Sequence, residues 1–270
     1  MSPGAGPPGL SVGRWVLPIT VLLAVWELAA RLGVADSILL SSPSQSLLAV
    51  VALAATQTAA GHSVLMLHVL SSVGVLAVAL LAASLVGIVV GAIMGLSNSV
   101  YRFLDPLFTV MMPIPGIAWA PIFMLWLGFG TPTIIATGAL AAFFPLAYNT
   151  ATGVRSIDPK LLMVARSMGA SPSRVLLRIC LPGAAPSILT GLSLGFARGW
   201  RTVIAVEMIA ARLWGLGYMI MEAREYLRPS LIYGGIILVA VVYLLLERLV
   251  VRRIEKTTIE RWGMVSPMET

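Results

Sequence analysis

The stretch LMLHVLSSVGVLAVALLAASLVGIVVGAIMGL at residues 65–96 decides the fold class, because it is apolar throughout and contains no Asp, Glu, Lys or Arg. A helix of about 20 apolar residues is long enough to cross the ~30 Å of hydrocarbon in a bilayer. Over the 270 residues of the chain, 59% are hydrophobic and 11% are charged. A soluble domain carries about 25% charged residues. The sequence therefore predicts an integral membrane protein.

Further apolar segments on both sides of this one predict an all-α fold with six membrane spans. The spans are expected near residues 15–31, 65–96, 104–127, 132–152, 185–211 and 231–250. The third is interrupted by three prolines, which remove backbone donors and break the helix, and by a glycine. These residues are Pro113, Pro115, Gly116 and Pro121. Broken backbone at membrane depth is tolerated where it is buried or lines a watery cavity, so this segment is a candidate pore wall, with a kink packed inside the bundle as the alternative.

The distribution of positive charge predicts that both termini are cytoplasmic. With the N-terminus inside, twelve of the 18 Lys and Arg residues fall on inside segments, four on outside loops and two within a span. Inside loops of membrane proteins carry such an excess. The basic residues lie at the ends of spans and form no stripe with interleaved aromatics, so the net charge of +7 does not predict nucleic-acid binding.

The spans are predicted to form one domain, residues 14–262, between an N-terminal tail at 1–13 and a C-terminal tail at 263–270. Residues 43–57 begin with Pro-Ser and are apolar at helical spacing, which predicts a short helix lying against the membrane surface. In the second span Gly87, Gly91 and Gly95 form a row of small residues at four-residue spacing. Such a row indicates that another helix packs closely there.

Several motifs for chemistry are absent or unsupported. Neither lysine, Lys160 or Lys256, follows a phosphate-binding glycine loop, so ATP hydrolysis is expected in a separate subunit. The histidines, His62 and His68, are six residues apart without a carboxylate cluster, and we expect them near the outer membrane surface rather than at a metal. Cys180 is the single cysteine and is expected to be a buried thiol. A Gly-x-Ser-x-Gly pattern at 191–195 lies in an apolar helix and lacks the strand-turn-helix context of a hydrolase.

The segment RSIDPKLLMVARSMGASPSRVLLRICLP at residues 155–182 predicts two short helices in a cytoplasmic loop. Asp158 is a good N-cap, and Pro159 suits the first helical position. The first helix is expected to run over residues 160–168 and to end at Gly169, a residue typical of a helix C-terminus.

The second helix of the loop is expected to begin after Ser171 and Pro172, to run to about Cys180 and to stop before Pro182. The first helix has too little polar surface to stand in water. Its apolar residues are Leu161, Leu162, Met163, Val164, Ala165 and Met168. An exposed apolar patch of this kind indicates a site for a partner, with folding back onto the bundle as the alternative.

This loop resembles the EAA loop of binding-protein-dependent ABC importer permeases. That family shows Glu-Ala-Ala, three residues, Gly, nine residues, and then Ile-x-Leu-Pro. In this chain Gly169 is followed after nine residues by Ile179, Cys180, Leu181 and Pro182, so the second half of the motif matches fully.

The first half of the motif matches less well. Ala165 matches the second alanine, whereas Val164 replaces the first and Met163 replaces the glutamate, which removes one polar contact expected toward the ATPase. The segments PIPGIAWAPIFMLWLGFG, FFPLAYNTATGVRSIDP and VEMIA…GLGYMI look like the nitrate, sulfonate, taurine and bicarbonate branch of the family. The resemblance covers roughly residues 15–262.

The resemblance implies a six-helix transmembrane domain of a type I ABC importer in a bacterial inner membrane, without a bound cofactor or a catalytic site. It implies a second permease subunit, expected to form a homodimer, a periplasmic or lipid-anchored solute-binding protein, and cytoplasmic ATPase subunits that use ATP and Mg²⁺. The residues implied in coupling to the ATPase are Asp158, Pro159, Leu161, Met163, Ala165, Arg166, Met168, Gly169, Ala170, Ile179, Leu181 and Pro182.

The fifth span carries charges that are unusual inside a membrane. A central arginine costs about 2.5–3.5 kcal/mol on insertion scales, so such residues usually face a bundle interior or a watery path. Arg198 and Arg201 are three residues apart and share one helix face, whereas Glu207 points elsewhere. The two arginines either line a pathway for an anion or bind backbone carbonyls or another helix. The candidate pathway residues are Pro113, Pro115, Trp119, Arg198, Arg201 and Glu207.

The favoured solute is small and anionic, such as a sulfonate, taurine, nitrate or bicarbonate. An importer of a small heterocyclic vitamin or pyrimidine precursor is an alternative with the same mechanism. A secondary transporter driven by an ion gradient would predict midplane carboxylates and inverted repeats. Apart from Glu207 the sequence shows neither.

Overall fold

The computed structural model describes residues 13–34, 36, 39–251 and 253. The predicted C-terminal tail and residues 1–12 of the predicted N-terminal tail lie outside these ranges. The described part of the chain is built of helices, as predicted. In chain order they are α1 (Gly13–Arg31), α2 (Pro43–Ala55), α3 (Val64–Leu96), α4 (Asn98–Met111), a 3₁₀ turn (Gly116–Trp119), α5 (Ala120–Leu127), α6 (Thr131–Arg155), α7 (Pro159–Ser167), α8 (Pro172–Val175), a π turn (Leu176–Cys180), α9 (Leu181–Gly183), α10 (Ala185–Ala210), α11 (Leu216–Glu225), α12 (Pro229–Leu246) and a second π turn (Glu247–Val251).

The described helices include three that are long and apolar enough to cross a membrane: α3, α6, and α12 with its extension to Leu249. Two bent pairs add two spans if each pair is one span. They are α4 with Gly116–Leu127, bent by 96°, and Pro172–Gly183 with α10, bent by 66°. These five correspond to the second to sixth predicted spans, and the first bent pair confirms the interruption of the third. The first predicted span coincides with α1, which is not among the five, so a sixth span remains a prediction.

The core of the bundle is α6, which packs between α3 and α10 in the two most extensive helix contacts. Glycines permit this approach on both sides. A Cβ on Gly91 of α3 would lie 2.6 Å from the Thr150 Cβ of α6, and one on Gly191 of α10 would lie 2.8 Å from the Asn149 Cβ of α6. Real side chains do not approach this closely, so the predicted glycine row is confirmed as a packing surface.

Helix α2 begins with a capping box. The Ser42 Oγ accepts a hydrogen bond from the Gln45 backbone N–H at 3.2 Å, and the Gln45 side chain accepts one from the Ser42 N–H. The helix lies where the surface helix was predicted, and it packs along α12. A Cβ on Gly234 of α12 would lie 2.6 Å from a methyl group of Val50, so α2 is joined to the bundle by close contacts.

Candidate functional site

The first helix of the loop, α7, has both predicted caps. The Asp158 carboxylate accepts a hydrogen bond from the Lys160 N–H at 2.8 Å. At the other end Gly169 has φ +78°, and the Ala170 N–H donates to the Ala165 carbonyl at 3.0 Å. This bond spans five residues and is the mark of a Schellman C-cap, which requires the left-handed conformation at Gly169.

One face of α7 packs on the protein and the opposite face is exposed. Leu162, Ala165 and Ala170 pack against a cluster that contains the buried Val175 and Cys180. The large apolar side chains of the other face, here called the α7 patch, are between 58% and 82% exposed: Leu161, Met163, Val164 and Met168. One face of the helix is therefore folded back onto the bundle, as in the second alternative that the sequence left open, and the exposed α7 patch leaves a site for a partner as a prediction.

The second helix of the loop does not stop before Pro182, and that prediction is wrong. Residues Leu176–Cys180 form a π turn, in which the Leu181 N–H bonds to the Leu176 carbonyl five residues back. An α-helix would need an N–H from Pro182 and would press its ring against the carbonyl four residues earlier, whereas the wider turn relieves both demands. The helix continues to Gly183 and then bends into α10.

The broken third span forms one wall of a cavity of about 330 Å³. Helix α4 ends at Met111, and the chain turns through Pro113 and Pro115 before the 3₁₀ turn. A Cβ on Gly116 would lie 2.6 Å from the Thr202 hydroxyl, so the turn packs directly against α10. The cavity is lined by Met111, Met112, Pro113, Ile114, Pro115, Gly116, Ile117, Trp119, Leu140, Ala141, Phe144, Arg198, Arg201 and Thr202. Five of the six candidate pathway residues are therefore together at one cavity.

The two arginines of the cavity carry charge that no carboxylate of the described residues neutralises at close range. The Arg201 Nε donates to the Ala197 carbonyl at 3.0 Å, which leaves its terminal nitrogens for other acceptors. Within the described ranges neither Arg198 nor Arg201 lies within 4.0 Å of an Asp or Glu oxygen, and both side chains are exposed. Guanidinium groups so placed bind carboxylate, sulfonate or similar oxyanions, in favourable cases through two parallel hydrogen bonds.

Glu207, the sixth candidate, lies elsewhere. It is 1% exposed and does not line the cavity. Both of its carboxylate oxygens lie 2.8 Å from the Ser72 hydroxyl of α3, and one accepts the Gly217 N–H at 2.9 Å. The Leu216 N–H in turn donates to the Ser72 hydroxyl at 2.8 Å. Glu207 therefore joins α10 to α3 and to the start of α11.

His68 belongs to the same polar cluster. It is 3% exposed, so it is buried among the helices, and its Nδ1 lies 2.9 Å from the Gly215 carbonyl oxygen. Gly215 and Gly217 leave space for the carboxylate, since a Cβ on Gly215 would lie 2.7 Å from the Glu207 Cδ. Sequence reasoning missed this cluster, because its local signal is only the Gly-Leu-Gly run at 215–217 downstream of a lone acid, and Ser72 on α3 is 135 residues from Glu207.

Comparisons with known proteins agree with this architecture. Residues 83–255 match the family model described as binding-protein-dependent transport system inner membrane component. The chain is 38% identical over 238 residues to the taurine transport system permease protein TauC of Escherichia coli, covering 88% of this chain and 84% of TauC. It is 33% identical over 222 residues to SsuC of Bacillus subtilis, which is provisionally named an aliphatic sulfonates transport permease protein, covering 82% of this chain and 78% of SsuC.

Among solved structures, the MetNI methionine ABC transporter in an inward-facing conformation matches with a TM-score of 0.57 and 18% identity, covering 71% of this chain and 96% of the matched chain. At this identity the match shows a shared fold, and it confirms the predicted fold class. The family model covers more than half of the chain, and TauC is similar over most of it. This chain belongs to the family of inner membrane components of binding-protein-dependent transport systems.

Proposed function

We propose that this chain is the permease subunit of an ATP-driven importer, and that it conducts a small solute carrying an oxyanion group through the cavity beside Arg198 and Arg201. The observation that carries the proposal is the position of two arginines on a cavity walled by the broken span, with no carboxylate of the described residues within 4.0 Å of them. A sulfonate group fits this chemistry, because its three oxygens can accept the hydrogen bonds of a guanidinium fork. The relatives named for taurine and aliphatic sulfonates support the same solute class.

The α7 patch is the proposed docking site for the ATPase. An apolar surface on a short loop helix is stabilised when it enters a groove on a partner, in the manner of other helix-in-groove contacts. Asp158 and Gly169 fix the two ends of α7, so Met168 is held in one position relative to the bundle. Motion imposed on α7 by ATP binding on the partner would then reach the membrane helices without being lost in a flexible loop.

The complete pathway is proposed to need a second copy of this chain. Leu125 and Trp126 of α5, the helix that follows the cavity-lining 3₁₀ turn, are exposed by 85% and 73%. A second subunit against this side would close the cavity, and a homodimer is the simplest assembly. In the proposed orientation both termini and α7 are cytoplasmic, and a solute-binding protein delivers the solute from the opposite side.

The test replaces Arg201 by glutamine in the assembled transporter and measures uptake together with the amount of protein in the membrane. Arg212→Gln is the matched control, because Arg212 is also exposed but lies outside the cavity. We expect Arg201→Gln to lower uptake of taurine by about tenfold or more, as the loss of a hydrogen bond to a charged group costs about 1.5–3 kcal/mol. Normal uptake would exclude a role in the pathway, and a loss of protein from the membrane would favour a structural role.

The solute class is tested by measuring which compounds compete with solute uptake by the unsubstituted transporter. Taurine, ethanesulfonate, nitrate and bicarbonate are compared with an uncharged heterocycle of similar size. If the arginines select an oxyanion, the anions compete and the heterocycle does not. Competition by the heterocycle alone would support the alternative importer. Uptake that continues after ATP depletion would instead support an ion-gradient transporter.

A further inference from the structure

Arg155, the last residue of α6, contacts two residues of α4. Its Nη1 donates a hydrogen bond to the Asn98 Oδ1 at 2.8 Å. Its guanidinium carbon lies 4.2 Å from the centroid of the Tyr101 ring, within the range of a cation–π interaction. Asn98 is the first residue of α4, and Tyr101 lies one turn further along the same helix. Arg155 therefore links the beginning of α4 to the end of α6, beside the apolar contacts that Val100, Tyr101 and Leu104 make with a buried cluster of α3, α4 and α6.

Helix α4 leads from this contact to the cavity. Its other end is Met111, which lines the cavity and precedes the prolines of the broken span. Between the two ends, the buried Phe108 packs against the rings of Phe143 and Phe144 of α6, with centroids 5.8 and 5.1 Å away. Phe144 also lines the cavity. Helix α4 therefore connects the contact at Asn98 to the cavity wall at Met111, and Phe108 between them packs against α6.

Arg155 also lies at the root of the loop that carries α7. The N-cap of α7, Asp158, is three residues further along the chain. Between them the Ser156 hydroxyl donates to the Gly153 carbonyl of α6 at 2.8 Å, and Ile157 packs in the same cluster as Leu162 of α7. These contacts connect α7 firmly to the end of α6, so a displacement of α7 acts first on the turn at Arg155.

We propose that Arg155 is a positioning residue that couples the α7 loop to the cavity wall through Asn98 and Tyr101. When the loop is displaced, the start of α4 follows the end of α6, and the proline segment moves with it. The inference rests on the proposed function, because it assigns the path by which ATPase-driven motion reaches the solute cavity. Arg155 contacts no solute in this assignment and acts through α4.

The geometry distinguishes this role from simple stabilisation of the fold. Arg155 is exposed, so its replacement leaves no cavity in the core. The guanidinium donates to Asn98 and lies over the Tyr101 ring at the same time, whereas the compact ammonium of a lysine can occupy only one of these two positions. The inference therefore predicts that Arg155→Lys impairs coupling nearly as much as Arg155→Gln, whereas a general charge effect would be rescued by lysine.

Because the chain has a single cysteine, its replacement leaves an introduced cysteine as the one thiol of this chain that can be labelled. Cys180 is fully buried, and Cys180→Ala gives a background in which Ile114→Cys places a reporter on the cavity wall. In the transporter assembled with its ATPase, the rate of maleimide labelling is measured without nucleotide and with ATP and vanadate. We expect the rate to change by at least about fivefold, the lower end of typical coupling between distant sites.

Arg155→Gln, Arg155→Lys and Tyr101→Leu should each reduce this ATP-dependent change to less than about twofold, while the ATPase still co-purifies. Tyr101→Phe is the matched control, since it retains the ring and should respond like the parent. A full response in Arg155→Gln would overturn this inference and leave the proposed function standing. If the arginine variants are not produced, a full response in Tyr101→Leu has the same meaning. A parent that shows no ATP-dependent change, or retains no ATPase, would overturn the proposed function and this inference together.

Discussion

Replacing Gly169 by valine tests whether the capped end of α7 sets the strength of ATPase docking. Gly169 has φ +78°, and no heavy atom lies within 4 Å of the position that a Cβ would occupy. Crowding therefore contributes nothing, and the cost arises from the backbone alone. The left-handed conformation costs a residue with a Cβ about 1–2 kcal/mol relative to glycine, and the β-branched side chain of valine favours the upper end.

This cost is expected to appear in docking more than in folding. Helix α7 has nine residues, none of them fully buried, and Met168 after them is 82% exposed, so unwinding the last turn gives up little burial beyond the small contact of Ala165. An unwound turn removes Met168 from the α7 patch, and docking must then restore the strained conformation. A penalty of about 1–2 kcal/mol corresponds to a Kd for the ATPase that is roughly 5 to 30 times higher.

The assay is binding of the purified ATPase to the permease in detergent or nanodiscs, at several ATPase concentrations. Gly169→Asn should bind almost as well as the parent, because asparagine tolerates the left-handed region. Gly61→Val is the matched control, since Gly61 also has φ +78° and open space around it, but lies in the turn before α3. An unchanged Kd for Gly169→Val, or an asparagine variant as weak as the valine variant, would refute this reasoning.

Three further predictions concern the packing of the bundle and the α7 patch. Glu207→Leu should lower the melting temperature of the purified protein, because buried donors left without an acceptor cost about 1–3 kcal/mol each. Glu207→Gln should lower it less, because the glutamine amide oxygen can accept the hydrogen bond of the Gly217 N–H. Equal losses in the two variants would contradict this explanation. Gly91→Leu should lower the melting temperature, because overpacking the contact with α6 costs about 1–3 kcal/mol. Gly74→Leu is the control, since no heavy atom lies within 4 Å of the position of a Cβ on Gly74. Equal effects of the two substitutions would exclude the helix contact as the cause. Met168→Glu should abolish ATPase co-purification at normal membrane abundance, and retained co-purification would exclude the α7 patch as the docking site.

The features that the sequence predicts well depend on one or two neighbouring residues. A carboxylate before a proline can cap only the helix that follows it, so Asp158 fixes the start of α7. A glycine followed by an apolar residue closes a Schellman motif locally, as at Gly169. The glycine row of α3 is predictable for a similar reason, because a surface without side chains at one spacing has few uses in a bundle other than close packing.

The features that the sequence misses depend on partners distant in the chain or on a shift of helical register. Pro182 is ordinarily a stop signal, and nothing local shows that a π turn upstream will let the helix continue. Glu207 is apparent as an acid within a span, but its burial is decided by Ser72 on α3. Because an acid on a pathway and an acid in a polar cluster look alike in the sequence, the structure is needed to separate Glu207 from the two arginines.

The arrangement of contacts also fits the proposed pathway, in which a firm surface for the solute faces a movable wall. Arg198 and Arg201 lie on α10, which packs backbone to backbone against α6 through glycines and therefore has little room to shift. The opposite wall of the cavity belongs to the broken span, where prolines leave backbone groups outside the helical ladder. Helix α4 is joined to α6 by the Phe108 cluster and by Arg155, and not by a long glycine interface. In the proposed pathway the arginines keep their geometry toward the solute while residues 111–115 of the wall, which precede the contact of Gly116 with α10, change position as the cavity opens to one side of the membrane and then to the other.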